Sequence, residues 1–140
     1  MKRRAAIKVS LLALASTYAL AYDKSKIVNT KKESIKDPAH PTKGELKHTP
    51  EIKLGEVDTK GYVTVDVNIG EDGIIHPSTE NHWIYKIELY ADGKKVAHVD
   101  LEPVISRGYL SAKVKKSGLK ELRAVSFCNL HGEWQNTLKV

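Results

Sequence analysis

Six histidines and one cysteine are the metal-capable nitrogen and sulfur side chains of this 140-residue sequence. Five of the seven fall in three short segments: His48, the pair His76 and His82, and the pair Cys128 and His131. Cys128 and His131 are three residues apart, which brings a thiolate and an imidazole within reach of one ion. Four imidazoles and one thiolate make five ligands. Structural zinc sites close with four, whereas five protein ligands with a sixth position open suit an octahedral ion such as iron. Imidazole also accepts copper, nickel and zinc, so ligand type alone leaves the metal undecided. His40, between Pro38 and Pro41, reads as a linker residue, and His98 as a mid-strand residue on a polar face.

Something must carry those segments to one place. From residue 45 onward the apolar residues recur with a period of two. Val63, Val65, Val67 and Ile69 alternate with Thr64, Asp66 and Asn68, the pattern of a half-buried strand. Similar stretches occupy 51–54, 83–90, 95–101, 109–114, 122–127 and 134–138. Asp92-Gly93 is a strong hairpin signal between two of them. Seven short strands in about a hundred residues predict an all-β fold, an immunoglobulin-like β-sandwich over residues 45–140. If successive strands alternate in direction, the loops bearing His48, His76, His82, Cys128 and His131 all fall at one rim. Rim loops on a rigid sheet are the usual seat of binding residues.

The N-terminus reads differently. Lys2, Arg3 and Arg4 precede an apolar run that ends at Ala19-Leu20-Ala21, so residues 1–21 read as a secretory signal. Arg3-Arg4 partly resembles a twin-arginine signal, with Ala6 where a bulky apolar residue is usual; Sec export is the alternative. The expected location is periplasmic, with no membrane span in the mature chain. Residues 22–44 are polar and hold two prolines, and read as a solvated tether or loosely packed arm. Four of the 23 basic residues lie in 1–21, leaving 19 against 17 acidic ones. The high pI is therefore largely a property of the signal and gives no ground for a nucleic-acid partner. A single thiol in an exported protein is unusual, and a metal-bound thiolate accounts for it.

At these residues the sequence resembles a family. His48-Thr49-Pro50, His76-Pro77-Ser78-Thr79-Glu80-Asn81-His82 and Cys128-Asn129-Leu130-His131-Gly132 resemble the iron-ligand segments of superoxide reductases, the neelaredoxin and desulfoferrodoxin group. The resemblance runs from about residue 44 to 134. It implies a seven-stranded immunoglobulin-like sandwich and one mononuclear iron cycling between Fe(II) and Fe(III). His48, His76, His82 and His131 would be its equatorial ligands and Cys128 the axial one. Lys47 matches a lysine that attracts superoxide and supports protonation. The implied activity is one-electron reduction of superoxide to hydrogen peroxide, with the electron from an external donor such as a rubredoxin-like protein. It also implies a homo-oligomer. One departure stands out. The family commonly reads Glu-Lys-His, whereas here Glu45-Leu46-Lys47-His48 displaces the acid by one residue. In a strand-like segment that turns Glu45 to the opposite side, and the glutamate that caps ferric iron in relatives would be missing.

Two other readings compete. An exported copper electron-transfer protein needs two histidines, one cysteine and usually an axial methionine, but the sole methionine is Met1. A metal-free sandwich that binds a partner through its rim loops leaves the thiol unexplained.

Overall fold

The computed structural model describes residues 22–140; residues 1–21, on which the export reading falls, lie outside the described residues. Seven strands form in chain order: β1 (Pro50–Val57), β2 (Tyr62–Ile69), β3 (Ile84–Ala91), β4 (Lys94–Asp100), β5 (Tyr109–Lys115), β6 (Glu121–Cys128) and β7 (Gly132–Lys139). They make two sheets of antiparallel neighbours, in the orders β1-β2-β5 and β4-β3-β6-β7. No helix among the described residues is long and apolar enough to cross a membrane.

The period-two pattern explains the layering. Val63, Val65, Val67 and Ile69 point inward from β2 and are essentially inaccessible. They share the core with Ile84, Ile87 and Leu89 of β3 and Leu122 and Ala124 of β6. Each such aliphatic side chain contributes roughly 1.5–3 kcal/mol by leaving water. At Asp92 and Gly93 φ is +47° and +81°, which places both central residues of the β3–β4 hairpin in the left-handed region. A turn with two such residues matches the twist of its flanking strands, and Asp and Gly tolerate it.

Register then sets the rim. Pro50 at the start of β1 faces Ile69 at the end of β2. Ile84 at the start of β3 faces Cys128 at the end of β6, which in turn faces Gly132 at the start of β7. The alternation of strand direction thus delivers all five metal-capable side chains to one end, as expected. His98 stays exposed in β4, and exposed His40 pairs with Asp37 at 3.0 Å.

Two local expectations are corrected. Residues 45–48 are not strand-like: Lys43–His48 is a short helix, α1. The missed signal is Thr42-x-x-Glu45, a capping box: the Thr42 hydroxyl accepts the Glu45 N–H, while the Glu45 carboxylate accepts the Thr42 N–H at 2.8 Å. Nor is 22–44 a free tether. Tyr22 is buried, Lys24–Lys26 forms a 3-10 turn, and Lys32 pairs with Glu133 in a parallel bridge. Backbone hydrogen bonds need no apolar side chain, so a polar stretch can be fixed along β7 without any hydropathy signal.

Candidate metal centre

The imidazoles are set by their elements. His48 closes α1, and its Nδ1 lies 2.6 Å from the Gly44 carbonyl one turn earlier. His76 follows the β2 end, where its backbone N–H returns to Ile69 O, and its Nδ1 lies 2.7 Å from Pro77 O. A carbonyl oxygen only accepts, so both Nδ1 atoms carry the proton and both Nε2 atoms are bare lone pairs. His82 lies two residues before β3, and His131 sits between β6 and β7. Ser126 Oγ donates to His48 O at 2.6 Å, tying the end of α1 to β6 beside Cys128.

These donors converge. The ligand atoms of His48, His82, Cys128 and His131 all lie within 4.8 Å of one another. The His76 ring centroid is 4.8 Å from that of His48 and 4.7 Å from that of His82. His131 Nδ1 stands 3.1 Å from His48 Nε2, 3.2 Å from His82 Nε2 and 3.6 Å from Cys128 Sγ. One ring proton can serve only one of these neighbours. The remaining lone pairs face each other, which is repulsive unless a cation lies among them. His76 Nε2 is the sharpest sign: it is buried and has no hydrogen-bond partner. A buried unpaired acceptor costs about 1–3 kcal/mol, and a metal ion relieves that cost. The donor set therefore fits a bound metal. Five borderline-to-soft donors suit a mononuclear iron better than a four-ligand structural zinc, and four imidazoles exceed what a two-histidine copper centre uses.

Protonation equilibria favour the same occupant. Burial, with the neighbouring imidazoles, pushes His48 down to about 4 and His76 down to about 3. His82 is also lowered, by burial first, then by His131 and the charge of Lys47. These rings are neutral at pH 7, the form that binds a metal. Burial raises the Cys128 thiol, against the opposing pull of the Leu130 and His131 N–H groups. Those two N–H groups are in place to support the thiolate once a cation deprotonates it.

The surroundings divide by role. Half-buried Lys47, in the last turn of α1, is close enough for its charge to act on His48 and His82. Glu45 is turned away, for its carboxylate accepts the Lys36 and Thr42 N–H groups. It caps a helix and a loop, and the displaced acid of the sequence does not replace a metal-facing glutamate. Trp134 stacks on His48, with centroids 5.4 Å apart and planes 23° off parallel, and its Nε1–H donates to His131 O at 3.0 Å. Asn129, fully buried between Cys128 and His131, was not singled out by sequence; its signal was a polar residue enclosed by two ligands.

The comparisons agree with this geometry. The family model for desulfoferrodoxin matches residues 40–137. A superoxide reductase of Pyrococcus abyssi is 37% identical over 110 residues, covering 70% of this chain and 90% of its own. That of Pyrococcus furiosus is 35% identical over 118 residues, covering 67% and 87%. Among solved structures, the superoxide reductase of Giardia intestinalis superposes with a TM-score of 0.58 at 31% identity, covering 67% of this chain and 98% of that one. The neelaredoxin of Ignicoccus hospitalis gives 0.55 at 31% identity, covering 66% and 79%. With a family model spanning most of the sandwich, and a rim where three imidazoles and a thiol converge with the His76 ring packed against two of them, this chain belongs to the desulfoferrodoxin family.

Proposed function

We propose that this protein is a superoxide reductase, an oxidoreductase that converts superoxide to hydrogen peroxide at one iron held by His48, His76, His82, His131 and Cys128. The observation that carries the reading is the convergence of the His48, His82, His131 and Cys128 donor atoms, with the His76 ring packed against His48 and His82 and its buried Nε2 unpartnered. When bound, iron supplies the one-electron couple. The overall change adds one electron and two protons to superoxide, giving hydrogen peroxide.

The chain's own groups account for the rest. The Lys47 ammonium, close enough for its charge to act on His48 and His82, would attract a small anion to the site and supply a proton there. His48, His76 and His82, held neutral at pH 7 by burial, leave the positive charge on that side of the site to the metal and Lys47. Cys128 approaches from the buried side, where a thiolate shielded from water donates electron density. His82 and His131 border solvent, so the substrate side is the outer one. Each turnover consumes an electron. The chain has one cysteine, too few for an additional four-cysteine iron centre, and the electron comes from an external donor such as a rubredoxin-like protein.

The N-terminal pattern of residues 1–21 supports export to the periplasm, and the family resemblance supports a homo-oligomer. N-terminal sequencing of the mature protein and light scattering test these two proposals.

The enzymatic reading is tested by metal counting followed by product stoichiometry. One iron per chain, lost in Cys128→Ser, and one peroxide formed per superoxide consumed are expected. Half a peroxide per superoxide would indicate dismutation instead. Copper at one per chain, or a folded chain that takes up no iron, would overturn the proposal.

A further inference from the structure

Asn129 lies between two metal-capable residues, yet its side chain bonds to neither. It is fully buried. Its Oδ1 accepts the Trp83 N–H at 3.0 Å, and its Nδ2 donates to Asn81 O at 2.9 Å and to Lys26 O at 3.1 Å. Its backbone N–H donates to Trp83 O at 3.2 Å, and its carbonyl accepts the N–H groups of Val28, at 2.9 Å, and Asn29, at 3.3 Å. One residue thus grips both neighbours of His82 and three positions of the 22–44 segment.

Gly132, at φ +84°, completes the seat. A Cβ there would lie 2.3 Å from Lys31 O. The arm passes so close that no side chain fits, and the left-handed backbone would itself strain any other residue. Just beyond, the Glu133 N–H donates to Lys31 O and the Glu33 N–H to Glu133 O, both at 2.8 Å. The loop holding Cys128 and His131 is therefore fastened on one side to the His82 loop and on the other to the arm.

We infer that Asn129, seated against the arm at residues 26–33, is a positioning residue for the metal centre: it fixes the Cys128–His131 loop against the His82 loop, so that thiolate and imidazoles are presented together. It touches neither metal nor substrate. The inference rests on the metal-centre reading and deepens it, by assigning the polar arm a part in metal retention. The physical ground is that buried polar groups bonded on every side hold a loop in one arrangement. Outer partners of this kind govern how firmly a metal is held.

The test uses the full iron-loaded chain and three variants, reading the rate of iron release to a chelator and the energy of the thiolate-to-iron absorption band. Asn129→Ala should speed release on the order of tenfold and displace the band. Val28→Pro removes the arm N–H that Asn129 O accepts, adds no charge, and follows Ile27, whose extended backbone suits a residue before proline. It should speed release about fivefold, the worth of one hydrogen bond. Leu119→Ala, in the core beyond the turn that leads into β6, should lower the melting temperature without changing release or band. Wild-type release from both folded Asn129→Ala and Val28→Pro would overturn the inference. So would equally fast release from Leu119→Ala at matched melting temperature. If Asn129→Ala yields no folded protein, Val28→Pro decides alone, and wild-type release from it overturns the inference. A wild-type chain that takes up no iron overturns the metal-centre reading itself, a distinct result.

Discussion

The metal centre has a deep half and an open half, and they are built differently. His48, His76 and Cys128 are 5%, 1% and 0% exposed. Each is held by backbone: the two rings donate to carbonyls, and the thiol faces two N–H groups. His82 is half-buried and His131 exposed, and their ring nitrogens meet the other donors and solvent. His76 Nε2, fixed out of water without a partner, gives the deep half a standing cost that a cation removes. The open half can turn to water. Retention is thus concentrated in the deep half and access in the open half.

Removing ligands tests this most directly. Cys128→Ser or His76→Ala should weaken iron affinity by more than the roughly tenfold to 100-fold that losing a ligand's outer partner costs, and His131→Ala by less than either, by chelator competition. Equal losses would break the comparison. Acid comes next. Burial pushes His48 down to about 4 and His76 down to about 3 in the folded chain, below the ordinary 6.5. Between those values the unfolded chain binds more protons, so the metal-free protein should be most stable above pH 6.5 and lose stability as pH falls from 6.5 toward 3. Chemical denaturation at a series of pH values follows it; a flat profile over that window would contradict the deep burial of these rings.

Smaller effects belong to the open half. Lys47→Ala should slow the reaction with superoxide about tenfold and flatten its dependence on ionic strength, as pulse radiolysis would record. An unchanged salt slope would remove Lys47 from substrate attraction. Trp134→Phe keeps an aromatic face on His48 and loses the bond to His131 O. It should cost about 1 kcal/mol by denaturant titration and leave the iron-to-chain ratio unchanged.

The strands and the five ligand candidates were legible in the sequence because they obey local rules. Val63 to Ile69 alternate with strict period two, and alternating strand direction needs only a strand count to bring Cys128 beside Ile84. The helix Lys43–His48 was hidden because six residues show no apolar stripe; its signal was the capping box of Thr42 and Glu45. The docked arm was hidden for a different reason. Its attachment runs largely through backbone groups of Lys26, Val28, Asn29 and Lys31, which are the same in every sequence, and among the residues of its seat only Asn129 and Gly132 record that something passes close by.

That docked arm has a consequence for the order of folding. Lys26 and Asn129 are 103 residues apart in the chain. The arm emerges before every strand, yet its seat does not exist until β6 and β7 have paired. Contacts of such long sequence separation form late, after the entropy of closing the loop has been met by other structure. The earliest described part of the polypeptide is thus expected to be seated only after β6 and β7 have paired, an order that hydrogen-exchange labelling during refolding would check.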